Sequence, residues 1–137
     1  MKEYEIELIK KKGRVREENP HLKELDIFLS VHFLLAKFWF HNQYGDLPPL
    51  LSSMSPKPFN NIIPIDDVIA HDWNEIIGDK EQLSAEEGYE AMLRFLEKET
   101  EWLKGLKLVI DELEKDYENR EGWWKKWLEI YNKVKEE

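Results

Sequence analysis

Cysteine is absent from the 137 residues, which excludes disulfides, thiolate catalysis and every zinc or iron–sulfur site built on thiolates. Positive charge is in deficit: 20 Lys and Arg against 29 Asp and Glu leave a net charge of −9. Such a surface repels nucleic-acid phosphates and favours basic partners, so no nucleic-acid ligand is expected. No apolar run reaches the ~20 residues of a membrane span. The most apolar stretch, residues 25–40, carries Asp26, His32 and Lys37 and reads as a buried core helix, so no membrane contact is expected. Residues 1–12 alternate charges with single apolar residues and lack the apolar stretch of a secretory signal, which with the missing cysteine fits the cytoplasm. A Gly-rich phosphate loop, Gly-x-Ser-x-Gly and His-Glu-x-x-His are all missing, so nothing assigns a catalytic residue, a cofactor or a metal.

The composition is that of a core inside a densely charged surface. Hydrophobic residues make up 42% and charged residues 36%, too apolar for a disordered chain and more charged than the roughly 25% of an average domain. The length suits one domain spanning residues 1–137. Patterning predicts a mainly α protein, an irregular antiparallel helical bundle with a Pro-rich ordered loop. At the N-terminus Tyr4, Ile6 and Leu8 alternate with Glu3, Glu5 and Glu7, which predicts a short hairpin or extended arm turning at Lys12-Gly13. A helix is the open alternative, because Glu and Lys are good helix formers. Asn19-Pro20 is a helix start, predicting a central helix over residues 20–41 that is apolar almost all round.

Five of the six prolines fall within residues 45–64. They allow a turn or two of helix at residues 48–54, started by Asp46, and then an extended segment whose Phe59, Ile62 and Ile63 should dock on the core. Helical spacing returns with Ile65, Val68, Ile69, Trp73, Ile76 and Ile77 and stops at Gly78. Ser84 and Glu87 form a capping box that opens a regular series: Tyr89, Met92, Leu96, Leu103, Leu106, Ile110, Leu113 and Tyr117. One long helix over residues 85–118, bent near Gly105, is expected. A last amphipathic helix carries Trp124, Trp127, Leu128, Tyr131 and Val134 and should fold back on it.

Several residues invite chemistry. Asp67, His71 and Glu75 lie at i, i+4 and i+8 with Asp72 beside them, an arrangement that could hold a metal but also one of ordinary solvent-side neighbours, and the second reading is adopted. His32, inside the apolar helix, reads as a satisfied core histidine, and His41 complements a helix dipole. Arg16 and His21 have the Arg-x4-His spacing of HEPN-class ribonucleases, yet they straddle the Asn19-Pro20 helix start. Glu86, Glu87 and Glu90, or Glu97 and Glu101, resemble the paired carboxylates of helical nucleotide pyrophosphohydrolases, without the second acidic pair that would complete a magnesium site. Glu99 interrupts the apolar seam, and a bend that lets it reach water is expected.

Six tryptophans remain: Trp39, Trp73, Trp102, Trp123, Trp124 and Trp127. Adjacent Trp123 and Trp124 point different ways on a helix, so one of them should be partly exposed. Acidic groups gather at Asp66, Asp67, Asp72 and Glu75 and again around Asp116 and Glu118, the second group beside Trp123 and Trp124. These eight residues form the expected contact surface for a basic protein partner.

Phe38-Trp39-Phe40, Asp46-Leu47, Leu50-Leu51-Ser52-Ser53-Met54, Ile65-Asp66, His71-Asp72-Trp73 and Glu86 to Met92 cover about half the chain. In this stretch it resembles the small helical immunity proteins encoded beside bacterial contact-dependent or polymorphic toxins. The resemblance implies a protein that binds and blocks a toxin, and it assigns no individual binding residue. Three readings of function follow: a noncatalytic inhibitor of immunity or antitoxin type, a carboxylate-dependent metal hydrolase, or a helical subunit that oligomerises. The first is preferred, as a monomer or homodimer.

Overall fold

The computed structural model describes residues 3–56 and 64–136, and these form eight helices and no strand. At the N-terminus the helical alternative holds, in α1 (Glu3–Lys10) and α2 (Lys12–Glu18). The expected hairpin does not form. Glu5, Leu8, Ile9, Lys12 and Val15 are the buried positions, and their spacing is that of one helix face. Tyr4 and Ile6, which the strand pattern placed inward with Leu8, stay 37% and 39% exposed.

The central helix, α3 (Leu25–Asn42), buries 11 of its 18 residues but starts later than Asn19-Pro20 suggests. Asn19 instead ends α2, where its Nδ2 donates to the Val15 carbonyl at 2.8 Å and its Oδ1 accepts from the Ile65 amide at 2.8 Å. A side chain that satisfies two separate backbone groups is better used there than as a cap. Pro20 lies in the turn that follows. Among the described residues no helix is long and apolar enough to cross a membrane.

The short helix α4 (Leu47–Met54) carries Pro48 and Pro49 in its first turn, where their missing donors cost nothing. Asp46 precedes α4 but does not cap it; its carboxylate turns away to accept the Gly105 amide at 2.8 Å. The expected docking of Phe59, Ile62 and Ile63 lies outside the described residues. α5 (Asp67–Ile77) opens on Asp66, whose Oδ1 accepts from the Val68 and Ile69 amides, and closes at Gly78.

The regular series after Ser84 makes two helices instead of one bent one. α6 (Ala85–Glu99) begins with the Ser84–Glu87 capping box, and α7 (Leu106–Asn119) follows a turn at residues 100–105. Short-range bonds such as Trp102 N to Glu99 O and Leu106 N to Leu103 O replace the continuous ladder there. The chain then doubles back, so that Tyr89 donates to the Leu113 carbonyl at 2.7 Å and Tyr117 to Glu90 at 2.9 Å. A seam of apolar residues looks the same on one long helix as on two antiparallel ones, and here it is the inner face of a hairpin.

The last helix, α8 (Trp123–Glu136), lies along α3, α6 and α7. Trp73, Tyr89 and Trp127 are fully buried, and each finds a backbone acceptor: Lys23 O, Leu113 O and Ala85 O respectively. Gly88 makes the α6–α8 approach close. A methyl group there would meet the Trp127 ring at 2.9 Å and Ile27 at 3.1 Å.

Candidate partner-binding surface

The acidic residues singled out in the sequence do different things. Asp66 is the α5 cap just described, exposed at its carboxylate edge, and Asp67 is exposed in the first turn. Glu75 is exposed and pairs with His71, Oε1 to Nε2 at 2.5 Å. Asp72 is half-buried, with Lys98 Nζ 4.0 Å away. Among the described residues no three His, Asp or Glu side chains converge as a metal site.

The second acidic group is largely part of the fold. Asp116 accepts the Trp123 amide at 2.7 Å and so fastens the turn before α8, where Gly122 has a φ of +52°. Glu118 is exposed. Trp124 is 7% exposed, packed edge-on against Tyr89 and Tyr117, and Arg120 covers it at 4.7 Å. Trp123 is half-buried against Phe38 at 5.2 Å and His41 at 5.9 Å. One of the two adjacent tryptophans does turn inward. Trp124 is taken up by packing on α6 and α7, and Trp123 rests against α3.

Trp102 is the exposed tryptophan, at 51%. It stands in the turn after α6, and its Nε1 donates to Glu99 Oε1 at 2.9 Å. Glu99 does not escape to water at the helix break: it is 1% exposed, and its Oε2 has no hydrogen-bond donor. Burial, reinforced by Asp72 beside it, pushes the Glu99 carboxyl up to about 7. A Glu99 that keeps its proton toward neutral pH avoids repelling the Asp72 carboxylate. Val68 lies one helical turn before Asp72 and is 67% exposed. Trp102, Glu99, Asp72 and Val68 thus form a linked edge between α5 and the α6–α7 turn, with Glu101 exposed next to the indole.

The histidines and remaining carboxylates are accounted for locally. His32 is buried with Tyr4 OH 3.5 Å from its Nε2, but its Nδ1 lacks a partner, so it is only half satisfied. Burial lowers its pKa to about 4 and keeps it neutral. His41 is exposed at the end of α3. Arg16 lies on α2 and His21 in the following turn. Glu87 belongs to the capping box and pairs with Lys80 at 2.5 Å. Glu97, Asp111 and Glu114 line one groove with Lys104 and Lys107, which offset two of the three negative charges there.

In the sequence Trp102 is one of six tryptophans and no pattern sets it apart. The usable signal was its position three residues after Glu99, within reach of a carboxyl already suspect for interrupting the apolar seam. Comparison with protein-family models, curated proteins and solved structures finds no match for this chain.

Proposed function

We propose that this chain is a noncatalytic binding protein of the immunity or antitoxin type, which covers a basic site on a protein partner through the edge built on Trp102. The observation that carries this reading is the state of Trp102 itself. Half of the ring faces solvent, yet its N–H is fixed on a buried carboxyl. An aromatic held in place before contact loses little freedom on binding, which is what an interface anchor requires.

Asp72, beside Glu99, and Glu101, next to the indole in sequence, put negative charge near that anchor, and Asp66, Asp67 and Glu75 add more along α5. Together with the net charge of −9 they would speed encounter with a basic partner. In this reading the protein works without a cofactor, in the cytoplasm. The test purifies the product of each gene adjacent to this chain's own and mixes it with the chain. A one-to-one complex that blocks the activity of that protein, with association slowing as salt rises from low to physiological strength, is the expected result. Absence of a complex, or an association rate indifferent to salt, would overturn the reading.

A further inference from the structure

Between α1 and the C-terminal half of α3 lies a cleft of about 270 Å³, lined by Tyr4, Glu5, Phe33, Lys37, Phe40 and His41. Glu5 is 3% exposed, and its Oε2 takes no hydrogen bond from any group. Among the described residues the nearest cation is Lys37, its Nζ 3.8 Å away, close enough to offset charge but too far to donate. A buried carboxylate oxygen without a donor is costly.

We propose that this cleft receives the guanidinium of an arginine side chain from a protein partner. Arginine fits the chemistry on three counts. Its planar donor fork supplies the hydrogen bond that Glu5 lacks. Its weakly hydrated face stacks on aromatic rings, and Tyr4, Phe33 and Phe40 line the walls. The volume is below the roughly 300–1,000 Å³ of small-molecule sites and suits a single side chain. The net charge of −9 favours a partner that carries arginine. This inference does not rest on the Trp102 edge, which is a separate surface.

The probe is the peptide acetyl-Gly-Arg-Gly-amide, titrated into the full chain and followed by NMR. Saturable shifts at Tyr4, Phe40 and His41 are expected. Glu5→Gln should weaken binding about tenfold or more, since the charge-assisted fork is lost. Lys37→Gln should tighten it severalfold by removing the competing ammonium, a gain that a merely structural Glu5 would not produce. The same peptide with neutral citrulline in place of arginine should not bind. Phe40→Ala, at a position 62% exposed, should also weaken binding, and it serves if Glu5→Gln fails to fold. Equal binding of the citrulline peptide, shifts that do not saturate, or Lys37→Gln leaving affinity unchanged would overturn the proposal. The peptide titration involves no protein partner, so its failure counts against the cleft alone and leaves the Trp102 reading standing.

Discussion

The Nε1 of Trp102 donates to Oε1 of Glu99 at 2.9 Å, joining a ring that is 51% exposed to a carboxyl that is 1% exposed. The hydrogen bond helps to hold Glu99 inside, and in return the carboxyl orients the indole. The other side of Glu99 faces the half-buried Asp72, so the protonation of a buried acid and the orientation of a surface aromatic depend on each other.

Trp102→Ala should leave the fold intact, because the ring lies outside the core, and should cost about 2 kcal/mol or more of partner affinity as an interface anchor does. The loss should sit mainly in the dissociation rate. Neutralising Asp67 and Glu75 together should lower the association rate instead, and only at low salt. Surface plasmon resonance on the basic partner separates the two effects. Trp102→Ala with unchanged dissociation would remove the anchor from the account.

Glu99 and His32 should tilt stability in opposite directions over the same pH range. The folded Glu99 carboxyl titrates at about 7, above its ordinary 4.5, so its stabilising contribution is full below 4.5 and lost as pH rises toward 7. The folded His32 titrates at about 4, below its ordinary 6.5, so its contribution is full above 6.5 and lost as pH falls toward 4. Each slope is at most about 1.4 kcal/mol per pH unit. Between 4.5 and 6.5 the two oppose each other. Denaturant melts of Glu99→Gln should therefore show stability rising with pH relative to the parent, and those of His32→Leu should show it falling. Parallel curves for parent and variants would refute the two shifts.

Gly88→Ala should destabilise the protein by about 1 to 3 kcal/mol, as overpacking does. Helix propensity alone argues the reverse, since alanine is better than glycine inside a helix by roughly 1 kcal/mol. The added methyl would meet the packed Trp127 ring at 2.9 Å, and Ile27 leaves no space on the other side. Thermal melting decides the sign, and a stabilised variant would show that the α6–α8 contact is looser than described.

Leu34→Asp should prevent folding. Leu34 is fully buried in α3, and a carboxylate there finds no partner, at a cost comparable to a large part of the ~5 to 15 kcal/mol that holds a typical domain together. Circular dichroism should show strong helix in the parent and its loss in the variant. A soluble variant that melts cooperatively would contradict the burial of α3.

Sequence alone determined the helical class, the burial of most of residues 25–38, the cap at Ser84, and the C-cap at Gly78. Each of these depends on residues close in the chain, through periodicity, a side chain reaching its own helix end, or a backbone conformation that glycine accepts. Tertiary structure decided the rest. Asn19 and Asp46 carry the chemistry of helix caps, yet each turns to a backbone amide that folding brings near, at Ile65 and Gly105. The seam from Tyr89 to Tyr117 has the same spacing in one helix or in a hairpin, and only packing on α3 and α8 selects the hairpin. The strand-like alternation at the N-terminus gave way because no strand among the described residues offers it a sheet edge, whereas α3 offers an apolar face to a helix. Which tryptophan meets solvent, and which glutamate lacks a donor, depend on what stands opposite them. Opposite partners lie tens of residues away along the chain, beyond the reach of any local pattern.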